Sequence, residues 1–195
     1  LEELPDRVIL RFSQRGVPEP GIELSVEYLL GTQEAGFQVQ YTVDNQTGRQ
    51  LASPYVMVIQ HPVTSEPDNL DNVLKTLQAV SELGVQALWF WPNPDAGTDE
   101  VSKGIRRFRE HTPTPGIRFI IDLHPRDFVS LLKHAACLVG NSSSGIKEAS
   151  FFGTPVVNIG SRQQGRSRSG NVMDVGHDAA AIKYAIQTQM THGSY

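Results

Sequence analysis

Residues 139–165 read VGNSSSGIKEASFFGTPVVNIGSRQQG. Three consecutive hydroxyls, Ser142 to Ser144, lie between Gly140 and Gly145, and Arg162, Arg166 and Arg168 come after the next apolar run. This chemistry suits a phosphate. A helix opening near Ser144 would offer unpaired backbone N–H groups and the positive end of its dipole. The Ser142 and Ser143 hydroxyls can donate to the same anion. A serine N-cap explains one of the three residues without a ligand, but not all three. No Lys-Ser or Lys-Thr pair follows, so this is not a P-loop. Arginine suits bidentate phosphate binding; the alternative for these three is a solvated basic loop.

Glu148 is the next candidate. Three residues before it stands Gly145, so no capping box accounts for it. An acidic side chain about one turn into a helix can reach both hydroxyls of a ribose; the plainer reading is a solvated surface glutamate. His61 lies in QHPVT, held extended by Pro62. It can donate to a phosphate or work as acid or base, or it is a hydrogen-bonded structural histidine. Asn93, in WPNPDAG, sits between two prolines and presents an amide from a stiff loop. No His, Cys or carboxylate cluster has metal-ligand spacing, so no metal and no cofactor are expected.

The elements that must position these residues are regular from Pro54 onward. Apolar strands are expected at 55–60, 86–91, 117–123, 137–140 and 155–160. Helices are expected at 68–83, 98–111, 126–135, 144–152 and 178–190. The first helix carries apolar residues at 70, 73, 74, 77 and 80. Five alternating strand–helix units predict an α/β fold with a parallel, doubly wound sheet covered on both faces. In a sheet of order 3-2-1-4-5 a ligand binds where the winding reverses, at the carboxyl ends of strands 1 and 4. Those ends are QHPVT and GNSSSG. That the two loops richest in chemistry fall at the expected crevice is the main physical argument for a site. Residues 1–50 differ in character. FQVQYTVD alternates at period two and DNQTG is a turn cluster, which predicts an edge hairpin or a connector without an assigned function.

The chain has 195 residues and a net charge of −4, so nothing points to nucleic acid or an anionic membrane as partner. No stretch approaches the roughly 20 apolar residues of a membrane helix. There is one cysteine, Cys137, in an apolar run, which excludes an internal disulfide and fits a reduced, cytoplasmic compartment. The chain begins at Leu1 without a signal-like segment, which fits a fragment.

Taken in order, QHPVT, WPNPDAG, GNSSSGIKEASFFGTPVVNIGSRQQGR and GNV resemble the hydrolysing UDP-N-acetylglucosamine 2-epimerases. These include the epimerase half of the animal bifunctional enzyme of sialic acid synthesis. The likeness runs from about Pro54 to the C-terminus and leaves out residues 1–50. It implies the C-terminal half of a GT-B architecture, two Rossmann-like domains with the UDP-sugar in the cleft. It implies that His61 touches the UDP phosphate and assists catalysis. Ser142 and Ser143 would hold the phosphates, Glu148 the ribose and Arg162 the UDP moiety. Asn93 and the backbone near His124 would frame the uracil. The implied reaction inverts the sugar C2 and releases UDP, giving N-acetylmannosamine by way of a glycal. The family's acid and base carboxylates lie in its N-terminal domain, so the chain is expected to bind UDP-sugar and to be inactive alone. Two other readings stand beside this one: the donor-binding half of a GT-B glycosyltransferase, and a non-catalytic nucleotide-sugar module. The exact sugar, feedback control and assembly into a homo-oligomer are left open.

Overall fold

The computed structural model describes the backbone of four strands within residues 2–45, and residues 54–195 apart from 94, 95, 115 and 122. The chain divides into two units, Leu1–Leu51 and Ala52–Tyr195. The first is an antiparallel meander of β1 (Glu2–Leu4), β2 (Arg7–Arg15), β3 (Ile22–Gly31) and β4 (Phe37–Asn45), in that spatial order. The alternating stretch FQVQYTVD is β4, which pairs with β3 from Phe37 opposite Leu30 to Asn45 opposite Ile22.

The second unit alternates strands and helices: β5 (Tyr55–Ile59), α1 (Asn69–Ser81), β6 (Gln86–Phe90), α2 (Thr98–His111), β7 (Ile117–Ile120), α3 (Pro125–His134), β8 (Cys137–Gly140), α4 (Glu148–Phe152), β9 (Val156–Ile159), β10 (Val172–Val175) and α5 (Ala179–His192). The sheet order is β10-β9-β8-β5-β6-β7, with every pair parallel. This is a Rossmann-like, doubly wound α/β sheet, and β5 and β8 are hydrogen-bonded neighbours as the strand 1/strand 4 argument requires. Parallel strands are covered on both faces and so read as continuous apolar runs. Tyr55 to Ile59 are all buried, and so are Val156 to Ile159.

Side-chain alternation sends the two halves of each run to opposite layers. Val56, Val58, Trp89, Val139 and Val157 share a core with Val73, Leu77 and Val80 of α1, Ile105 of α2, and Ile182 and Ile186 of α5. On the other face Phe90 meets Phe128 of α3 edge-on at 5.6 Å, and the Tyr55 hydroxyl donates to the Leu131 carbonyl at 2.7 Å. Cys137 is fully buried, and burial pushes its thiol up to about 12.

Two elements differ from the sequence expectation. The single helix expected over 144–152 is broken: a 3-10 turn, Ser143–Gly145, comes first, and α4 starts only at Glu148. Gly145 shows why. A Cβ there would lie 2.9 Å from Val156 Cγ1, so the turn presses flat against β9. Strand β10 is an addition, a four-residue edge strand between Gly170 and Gly176 that is reached from β9 by a loop without a helix.

Candidate functional site

The loops after β5, β8, β9 and β10 gather at the carboxyl edge of the sheet. Their junction is Asn141, the residue after β8. Gly140, at φ +123, lets β8 close on β5: a Cβ there would sit 2.0 Å from the Ile59 carbonyl oxygen. The Asn141 N–H then donates to that carbonyl at 3.0 Å. The Asn141 side chain clamps the next residue of the neighbouring loop. Its Oδ1 accepts from the His61 N–H at 2.7 Å and its Nδ2 donates to the His61 carbonyl at 2.9 Å. From the other side, Arg162 Nη1 donates to the Asn141 carbonyl at 3.1 Å and Gln163 Nε2 donates to the same oxygen at 2.8 Å. Asn141 and Gln163 are each 1 % exposed, so the bonds of Asn141 to His61 and to Gln163 are made out of water and hold their geometry, while that from Arg162 is part-buried.

His61, Ser142, Ser143 and Arg162 are thus brought to one place around a single buried peptide. His61 is buried, whereas the two serines and Arg162 are part-exposed. Ser142 caps the 3-10 turn, its Oγ accepting from the Ser144 N–H at 3.3 Å. The helix dipole expected behind these serines is not available, because α4 has only five residues and begins at Glu148. What is part-exposed here is a pair of hydroxyls and a guanidinium beside the buried His61, a donor-rich rim suited to an anion.

The remaining candidates are arranged differently. Glu148 is the first residue of α4 rather than one turn into a helix, and it is exposed. Asn93 is exposed on the loop after β6, where its carbonyl accepts from the Thr98 hydroxyl at 2.5 Å. His124 is the N-cap of α3: its Nδ1 accepts from the Arg126 N–H at 3.3 Å, and its carbonyl accepts from Asp127 and Phe128. Both loops lie on the same sheet edge, one and two strands beyond β5. Of the other arginines, Arg168 is paired with Asp174 at 2.7 Å and Arg166 is exposed.

Three residues of this edge were not singled out in the sequence: Asn141, Gln163 and Glu66. An Asn directly after a strand reads as a turn former, and a lone Glu in a polar loop reads as solvated. Only the fold shows that Asn141 faces His61. Glu66 receives the Ser161 N–H at 2.7 Å, the Ser161 hydroxyl, and His177 Nε2 at 2.9 Å. Burial pushes the Glu66 carboxyl up, but the two Ser161 donors and His177 outweigh it and hold the group below its ordinary value. Among the described residues no group of three His, Cys, Asp or Glu could hold a metal, and no helix is long and apolar enough to cross a membrane.

Comparison with known proteins gives the chain a family. The family model described as UDP-N-acetylglucosamine 2-epimerase matches residues 24–194, and the chain belongs to that family. The match begins at residue 24, inside β3, well before the Pro54 at which the motif likeness begins. The UDP-N,N'-diacetylbacillosamine 2-epimerase (hydrolyzing) of Legionella pneumophila is 34% identical over 160 residues, covering 82% of this chain and 40% of that one. The UDP-N-acetylglucosamine 2-epimerase of Neisseria meningitidis is 30% identical over 144 residues, 72% of this chain and 37% of its own. The chain therefore spans about two fifths of the length of these relatives. Among solved structures, the S. aureus MnaA–UDP co-structure superposes with a TM-score of 0.54 at 16% identity, covering 72% of this chain and 40% of that one, a likeness of fold.

Proposed function

We propose, starting from that family membership, that this chain is the UDP-binding C-terminal portion of a hydrolysing UDP-N-acetylglucosamine 2-epimerase. The full enzyme would convert UDP-N-acetylglucosamine and water to N-acetylmannosamine and UDP. The observation that carries the reading is the Asn141 junction, which fixes His61, the Ser142–Ser143 turn and Arg162 around one point. In this reading the serines and Arg162 receive the diphosphate. His61 donates to it as it departs, so that negative charge developing on the leaving UDP meets positioned donors. Glu148 takes the ribose hydroxyls, and Asn93 with the backbone at His124 borders the uracil.

The chemistry is an elimination followed by an addition. A base takes the proton from C2 while UDP leaves C1. The resulting glycal gains water at C1 and a proton at C2 from the opposite face. The carboxylates for those proton transfers are assigned to an N-terminal domain, which makes that domain the partner of this chain and leaves the chain alone without turnover. UDP-N-acetylglucosamine and its diacetylbacillosamine counterpart share the UDP, which is the part this edge would hold. The cytoplasmic assignment rests on the buried, unpaired Cys137.

Calorimetric titration with UDP tests the reading. Binding by the chain is expected, with a loss of about 1–3 kcal/mol in Arg162→Ala, as for a charged hydrogen bond removed from a part-buried site. An unchanged affinity in Arg162→Ala, or no heat at millimolar UDP, would overturn it. Supplying the N-terminal domain should then release UDP from both UDP-sugars.

A further inference from the structure

Glu66 is the feature of this edge that a nucleotide-binding reading does not use. It lies in the loop after β5, five residues beyond His61. That loop is stiffened from within: Asn69 Oδ1 accepts from the Val63 N–H at 2.9 Å, its Nδ2 donates back to the Val63 carbonyl at 3.2 Å, and the Glu66 N–H donates to Val63 as well, at 3.0 Å. From this base the Glu66 carboxylate reaches two other loops. One oxygen accepts both donors of Ser161, in the loop after β9, and the other meets His177, in the loop after β10. The Glu66 and His177 side chains are only 16% and 17% exposed. Gly160 is shaped to this contact: at φ +74, a Cβ there would lie 2.5 Å from His177 Nε2 and 3.0 Å from Glu66 Oε1.

We propose that Glu66 is a positioning residue: its carboxylate, with Ser161 and His177, clamps the loop that carries Arg162 and Gln163 and so fixes the guanidinium beside the His61–Asn141 pair. Ser161 immediately precedes Arg162, so the anchor point and the working side chain are one peptide apart. Without the clamp the 160–166 segment keeps its bonds to the Asn141 carbonyl and its own turn bonds, Gln164 to Ser161 at 2.7 Å and Arg166 to Gln163 at 3.3 Å. It also keeps the Gly160 N–H bond to the Val175 carbonyl of β10 at 2.9 Å, and loses the side-chain tie to the loop after β5 and to His177. The clamp itself needs no ligand; only its consequence for affinity rests on the proposed UDP site.

The test has a ligand-free arm and a ligand arm, both on the 195-residue chain. Amide hydrogen exchange of the free chain is compared with that of Glu66→Ala and Glu66→Gln. Exchange at residues 162–166 should rise about tenfold or more in Glu66→Ala, with β5 and β8 amides unchanged. Glu66→Gln keeps an oxygen for Ser161, so it should stay within about threefold of the parent. Unchanged exchange at 162–166 in Glu66→Ala, or an equal rise throughout the sheet, overturns the clamp. In the ligand arm, Glu66→Ala should weaken UDP binding about tenfold in the parent chain, but less than about twofold in an Arg162→Ala background, because it acts through Arg162. The same tenfold loss in both backgrounds overturns the positioning role. If the parent does not bind UDP, the proposed function fails and the exchange arm still decides the clamp. If Glu66→Ala does not fold, Ser161→Ala replaces it, with a rise of about threefold at 162–166 expected and no rise overturning the proposal.

Discussion

The two ends of the carboxyl edge are built on different principles. On the β5, β8 and β9 side, loops are cross-linked through buried atoms, with Asn141 bonded to His61, Arg162 and Gln163 at once. On the β6 and β7 side, Asn93 and His124 are exposed, and among the described residues their hydrogen bonds reach no further than the first turn of the helix that follows. The difference follows from what each side is proposed to hold. A diphosphate demands donors at fixed points, since charge-assisted bonds weaken quickly with distance and angle. A flat base bordered by a loop demands less, and a loop open to water meets that demand without ordering a buried network. In sequence the two sides look equally suggestive; only the packing separates them.

The comparison can be broken first at Gly140. Gly140→Val places carbon where the Ile59 carbonyl stands and requires φ +123 of a β-branched residue. Urea unfolding should show a loss of more than about 3 kcal/mol; a loss below about 1 kcal/mol would mean that β5 and β8 can separate cheaply. Next is Asn141→Ala, which strips two bonds from the buried His61 backbone. It should cost about 2–4 kcal/mol and weaken UDP binding as well. A variant that lost stability but kept full affinity would uncouple His61 from the site.

The clamp gives a pH signature of smaller size. The folded Glu66 carboxyl lies below its ordinary value of 4.5. Its contribution is therefore present above pH 4.5 and is lost as pH falls through the lower folded value. The parent should be more stable than Glu66→Gln at pH 7, and the gap in urea midpoint should narrow as pH falls below 4.5. A gap independent of pH would mean that the carboxylate charge plays no part. The smallest effects belong to the open side: His124→Ala, which removes the α3 cap, should cost about 0.5–1 kcal/mol, and Asn93→Ala should change stability by less than about 0.5 kcal/mol. A loss at Asn93 as large as that at Asn141 would erase the contrast.

Most of the scaffold was legible because burial on both faces leaves unbroken apolar runs such as YVMVI and CLVG, and helix stripes such as that of α1 follow from one buried side. The break before α4 was not legible. SGIKEASFF has helical composition, and what stops the helix is Val156 pressing on Gly145, a contact eleven residues away in sequence. Strand β10 was hidden because four residues are too few for a period to declare itself. At the site, His61, Ser142, Ser143 and Arg162 were legible as candidates by residue type, and the fold brings them to one edge. Residues that hold them, Asn141, Gln163 and Glu66, were not, since holding is a property of pairs far apart in the chain. The resemblance named the right family but started too late, because the meander of β1 to β4 carries a pattern without a motif.

Cys137 gives the molecule a built-in stopwatch. It lies in β8, opposite Val56, fully enclosed and with its thiol held near 12. A thiol reagent cannot meet it while the sheet is intact. With no second cysteine in the chain to confuse the signal, the rate of labelling under native conditions counts the openings of the central strand pair. Each variant above could therefore be ranked, without denaturant, by how often the two strands that flank its site come apart.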